Sequence, residues 1–222
     1  MIGAIVALLV GTVFTTVVVH FARQSQERLR RFTALAAQHG WVYYPGDPYH
    51  CARLPFRVLR QGRSEKVDHT LALRFADGVV AKAFQFHCTV GSGKSSHVER
   101  YSCVVIETGD RFPELAIEHE GLLGRMRDAL GLHDIQFESD EFNRTFKISS
   151  DDVRFAHAMI DQRFMAWLLD HPTNGIAVAW NGPLVLVWCD QVLFEHLPGV
   201  VAYADEVRQV IPPVVRELYP PA

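Results

Sequence analysis

The sequence predicts an α+β protein in which an N-terminal single transmembrane helix is followed by a mostly antiparallel sheet with packed helices. Three observations predict it. Residues 2–22, IGAIVALLVGTVFTTVVVHFA, contain no charged side chain. From Trp41 onward, short runs alternate apolar and polar residues, the period of half-buried strands. The later stretches DDVRFAHAMIDQRFMAWLLDH and HLPGVVAYADEVRQVIPPVVRELY carry helical spacing instead. Strands and helices do not alternate as βαβ units, which points away from a parallel sheet.

The length of 222 residues suits one ordinary domain with an appendage. Hydrophobic residues make up 49% and charged residues 21%, with a formal net charge of −3. That balance belongs to a folded chain and excludes the strongly basic surface of a nucleic-acid binder. No nucleic-acid partner is expected.

At about 1.5 Å per residue, the apolar run 2–22 makes a helix about 30 Å long, the thickness of a bilayer's hydrocarbon core. In lipid the backbone must satisfy its own hydrogen bonds, so the helix forms despite many β-branched residues. A cleaved signal peptide is the competing reading. It would begin with a basic region and end in a small-x-small site. Here no Lys or Arg precedes the run, and it ends in His20-Phe21-Ala22. Ala34-Leu35-Ala36 fits the cleavage motif better but lies beyond four arginines. Those arginines, Arg23, Arg28, Arg30 and Arg31, all follow the run. The positive-inside rule then places the N-terminus outside and the rest of the chain in the cytoplasm. The lipid bilayer is the partner expected of residues 2–22. Gly3, Ala7 and Gly11, continued by Thr15, fall on one face; that spacing admits a homodimer of closely packed helices, although small residues are common in membrane helices anyway.

RQSQERLRRFTALAAQHG follows without a helix breaker until Gly40, and Phe21, Leu29, Phe32, Leu35 and Ala36 share a stripe. The expected organisation is therefore a transmembrane anchor over 1–22, a juxtamembrane helix over 23–39 and a cytoplasmic α+β domain over 40–222. Within that domain WVYY at 41–44 reads as a strand, as do the runs 67–75, 79–90 and 98–108. Phe84, Phe86 and Cys88 share one face, and Tyr101, Cys103 and Val105 share another.

Between those two faces lies HCTVGSGKSSH, which looks like a phosphate-binding loop. The Walker pattern needs a glycine five residues before Gly93-Lys94-Ser95 and a helix after it. Position 88 is Cys88, and the following HVERYSCVVIE alternates like a strand. The stretch is therefore expected to be a hairpin tip with a solvated Lys94, and no nucleotide site is assigned.

Further along, 114–119 reads as a short strand, Leu122–Leu130 as a short helix closed by Gly131, and 134–149 as strand on either side of a polar turn. Asp151 or Asp152 caps one helix and Asp161 the next, which ends at Pro172 and Gly175. GIAVAW-NG-PLVLVW carries an Asn181-Gly182 pair suited to a type I′ turn, so a two-stranded hairpin is expected there. The C-terminal helix breaks at Pro212-Pro213.

Phe137, Glu138, Ser139, Phe142, Asn143 and Phe146, with Asp151, Ala156 and the Met165–Leu169 stretch, resemble the F-E-S-x-x-F-N-x-x-F segment and following helix of a bacterial domain family of unknown function. The resemblance implies a protein of this architecture attached to a bacterial inner membrane and carries no catalytic residue.

No catalytic, cofactor or metal residues are assigned from the sequence. Glu138, Asp140, Glu141, Asp151 and Asp152 form an acidic cluster, but helix N-termini attract such residues for their dipole alone. The eleven histidines make no H-E-x-x-H pattern, and the four cysteines, Cys51, Cys88, Cys103 and Cys189, form no C-x-x-C pair. Buried thiols are expected. Trp41, Tyr43, Tyr44 and Tyr49 suit a strand core as well as a recognition surface. Two readings of function follow. The first is a single-pass bacterial membrane protein whose cytoplasmic domain binds or scaffolds a protein partner. The second is a membrane-anchored, hydrolase-like enzyme using dispersed His and acidic residues.

Overall fold

The structure, a computed structural model, describes residues 2–119, 133–171 and 175–220, with the side chains of 2–14, 21, 133 and 134 left aside. It is an α+β fold built on an antiparallel sheet. A single 38-residue helix, α1 (Ile2–His39), leads into it. Gly40 ends the helix at φ +69°, a left-handed angle that glycine adopts without a Cβ clash. The expected apolar span and the Gly3-Ala7-Gly11 face rest mostly on side chains outside the described set. Among the described residues, no helix is long and apolar enough to cross a membrane.

The strands are β1 (Val42–Pro45), β2 (Arg63–Arg74), β3 (Val80–Val90) and β4 (His97–His119), followed by β5 (His133–Asp134), β6 (Phe146–Ser150) and β7 (Ala177–Asp190). Every pairing is antiparallel, in the order β1-β2-β3-β4-β6-β5, with β7 also on β4. The 23-residue β4 is the spine of the sheet. Its first half pairs with β3, its last five residues pair with β6, and β7 runs along its other side.

The β3–β4 register sets Phe84 opposite Cys103 and Phe86 opposite Tyr101, as the alternation predicts. The expected short strand at 114–119 is the end of β4. Two expectations need correction. Residues 177–190 form one strand and not a hairpin, because β4 pairs with the segment on both sides of Asn181-Gly182. Asn181-Gly182 instead marks an irregularity where the register shifts between Glu107 and Leu115 of β4. Gly182 there keeps a left-handed φ of +56°. Pro183 is tolerated because β7 pairs with β4 alone and so is an edge strand. The polar turn within 134–149 is the short helix α2 (Asp140–Thr145). The expected helix at 122–130 and Pro172 lie outside the described residues.

The helices α3 (Val153–Met159), α4 (Gln162–Asp170), α5 (Leu197–Gln209) and α6 (Pro213–Leu218) complete the fold. Asp152 accepts the Phe155 amide at 3.0 Å and Asp161 that of Phe164 at 2.8 Å, as N-caps. The sheet divides the core. One face meets α1, α3, α4, α5 and α6 through a cluster containing Phe32, Leu71, Phe155, Phe164 and Trp180. The other face packs Phe84, Phe86, Tyr101 and Trp188 against Cys51 and Leu59, from the short helical turns at Cys51–Arg53 and Arg57–Leu59, and against Phe56, which precedes the second turn.

Candidate functional site: a cleft at the foot of the first helix

Among the described side chains of α1, those in its last turns join the core. Phe32, Leu35 and Ala36 are buried, whereas Leu29 and Val17–Val19 are exposed. Phe32 seats the helix, stacking on His69 of β2 at 4.3 Å between ring centroids and on Tyr43 of β1 at 5.8 Å. The Tyr43 hydroxyl and His69 Nδ1 lie 2.8 Å apart. Burial pushes the His69 imidazole below its ordinary range; Asp68 opposes that shift and the charge of Arg28 adds to it.

Above this seat, α1 and the segment after β7 diverge to leave a cavity of about 360 Å³. Arg28, Arg31, Gln24 and Gln85 give it polar walls, with Phe32 and Phe194 among the apolar ones. Arg31 is paired with Glu27, and its guanidinium lies 5.5 Å over the Phe194 ring. A second cavity, of about 560 Å³, adjoins the first across Gln191 and Val192. Its walls include His171 and Tyr203, and Cys189 of β7. Trp167 stacks on His171 and packs against Tyr203. Val192 is fixed between the two cavities by its amide, which donates to the buried Ser102 hydroxyl at 3.1 Å.

The cleft combines polar and apolar walls with one thiol. Its thiol is not a ready nucleophile, because burial pushes Cys189 up to about 11 and keeps it protonated near neutral pH. The other three cysteines are also buried and free, with their pKa values raised chiefly by burial, Cys51 to about 12. Among the described residues, no group of three His, Cys, Asp or Glu side chains is placed to hold a metal ion.

The acidic cluster of the sequence resolves into structural parts. Ser139 caps α2 by accepting the Phe142 amide, with Asp140 and Glu141 in the first turn. Asn143 clamps the preceding loop, accepting from the Phe137 amide at 2.8 Å and donating to the Phe137 carbonyl at 2.7 Å. Phe142 packs against both Phe137 and Phe146. Glu138 and Asp151 are exposed. Lys94 is exposed in a short turn, Gly93–Ser95, followed directly by β4 and not by a helix.

One carboxylate escaped sequence reasoning. Glu99, at the hairpin end of β4, is 7% exposed. It accepts from the Tyr101 hydroxyl at 2.5 Å and from Gln61 Nε2 at 3.1 Å, and His97 Nε2 lies 3.3 Å away. Burial, reinforced by the bond to Glu99, pushes the Tyr101 phenol well up, so it remains a donor. Alternation alone marks Glu99 as sharing the Tyr101 face, but nothing local shows that Gln61 comes to meet it. The cleft residues Gln191, Val192 and Phe194 carried no sequence signal either.

The sheet and its packed helices define an α+β protein with a cleft at the foot of its first helix. In fold the chain is similar to a solved structure described as the crystal structure of the mycobacterial trehalose monomycolate transport factor A, TtfA. The two share 12% sequence identity at a TM-score of 0.59, over 83% of this chain and 96% of that one. No family model and no curated protein matches the sequence.

Proposed function

We propose that the chain is a single-pass bacterial membrane protein whose α+β domain acts as a non-enzymatic accessory module, binding a protein partner at the cytoplasmic face. Residues 2–22 form the anchor, 23–39 the juxtamembrane helix and 40–222 the cytoplasmic domain. The observation that carries this reading is α1. One uninterrupted helix joins an uncharged N-terminal stretch to the domain core through Phe32, Leu35 and Ala36. A helix rooted in that way holds the domain at the membrane surface and not on a slack tether. The fold likeness to a protein described as a transport factor favours an accessory role, and the resemblance of residues 137–169 to a membrane-attached domain family agrees with it. The protonated thiols favour binding over catalysis.

Topology reporters at the C-terminus test the orientation. A fluorescent-protein fusion should be bright and an alkaline phosphatase fusion inactive; the opposite pair refutes the cytoplasmic placement. For the accessory role, crosslinking in intact cells should capture a membrane protein through residues of the domain. A purified chain that turned over ester or phosphate substrates, with loss of activity on mutation of cleft residues, would favour the hydrolase reading instead.

A further inference from the structure

We propose that the cavity between α1 and residues 191–194 holds the headgroup of an anionic membrane lipid. The proposal rests on the anchor reading and goes beyond it by giving the cavity a ligand. Three observations carry it.

The first is charge. Arg28 and Arg31 face the cavity together with a single carboxylate, Glu27. Glu27 is taken up by Arg31, and Arg31 is further held over Phe194. Among the described residues Arg28 enters no ion pair or hydrogen bond, yet its charge reaches into the core far enough to oppose protonation of His69. One positive charge is therefore left without a counter-ion, beside the amides of Gln24, Gln85 and Gln191. A guanidinium with nearby amide donors is suited to a phosphate.

The second is the lining. Phe32, Val192, Leu193 and Phe194 supply the apolar part of the wall. Leu193 remains 68% exposed beside the cavity. A site for a free inorganic anion has no use for that surface. An amphiphile does, since its first acyl carbons can lie on Leu193 while its phosphate meets Arg28.

The third is position. Arg28 lies six residues beyond Ala22, the end of the uncharged run, which is about 9 Å along a helix. The headgroup layer extends roughly 5–8 Å beyond the hydrocarbon core on each side. The cavity would thus open just beyond the headgroup layer, within side-chain reach of the anionic lipids of the cytoplasmic leaflet, which attract juxtamembrane basic residues.

The test uses the full chain in a neutral detergent and native mass spectrometry. The probes are dihexanoyl phosphatidylglycerol, dihexanoyl phosphatidylcholine and inorganic phosphate. Phosphatidylglycerol should be retained, with the zwitterionic lipid and inorganic phosphate retained far less. Arg28→Gln should weaken phosphatidylglycerol retention by about tenfold, the effect of losing one charge-assisted contact. Arg30→Gln, at an exposed position on the same helix outside the cavity, should leave retention unchanged. Equal retention of phosphatidylglycerol by wild type and Arg28→Gln overturns the proposal. Equal losses in Arg28→Gln and Arg30→Gln also overturn it, because the attraction is then diffuse. Inorganic phosphate displacing the lipid at equal concentration overturns the lipid assignment. Alkaline extraction of membranes reports the anchor separately. A chain embedded in membranes that retains no phosphatidylglycerol defeats this proposal alone. A chain washed off by alkali that still takes the lipid through Arg28 defeats the anchor alone.

Discussion

Removing the Tyr101 hydroxyl would leave the buried Glu99 carboxylate without its closest donor. Tyr101→Phe should therefore lower stability by about 1–3 kcal/mol, the cost of under-satisfying a buried acceptor. Urea unfolding checks this, and an unchanged midpoint would mean that water replaces the hydroxyl. His69 has the opposite kind of sensitivity. Its folded pKa lies below the ordinary imidazole value of 6.5 because the ring is buried under Phe32. The unfolded chain then binds the proton more readily than the folded one. The stability that neutral His69 contributes is fully present above pH 6.5 and is lost as the pH falls from there through the folded value. The melting temperature should drop between about pH 7.5 and pH 5.5, and His69→Gln should reduce that drop. An equal drop in the variant would assign the pH dependence to other groups.

At the scale of single elements, α1 changes character along its length. Phe32 is 4% exposed and Leu29 is 43% exposed, three residues apart on one helix. Phe32→Ala should cost roughly 3 kcal/mol, as large-to-small changes in a core do. Leu29→Ala should stay within about 0.5 kcal/mol. Equal effects from the two would mean that the helix is docked along its full length, or not at all. The strand β7 shows a different principle. Asn-Gly between two apolar runs is a strong local hairpin signal, yet the chain continues straight past it. Here β4 supplies hydrogen bonds on both sides of the irregularity, to Trp180 and to Leu184. A long ladder outweighs the preference of two residues for a turn.

For the molecule as a whole, α1 belongs to two environments, and truncation should separate them. Deleting residues 2–22 should leave a folded domain that retains Phe32, Leu35 and Ala36 in its core and unfolds in one cooperative step. Deleting residues 2–39 should uncover the surface those side chains seal and give an aggregating or markedly less stable product. Circular dichroism and gel filtration of both truncations check this; equal solubility and stability would show that the helix is dispensable to the core. The sequence by itself determined the parts whose physics is local. Period-two alternation marked the β3–β4 hairpin and its facing side chains, carboxylates immediately before apolar helical runs marked the caps of α3 and α4, and the lack of any C-x-x-C spacing marked the cysteines as buried thiols. Tertiary structure alone decided what depends on distant partners. Nothing near Ala177–Asp190 shows that the segment will lie as one strand along the 23-residue β4. Nothing near Glu99 shows that Gln61 will reach it, and nothing near Arg28 shows that Gln85 and Gln191 will stand beside it. Those contacts join residues far apart in the chain, and their stability arises only when the whole sheet has closed around them.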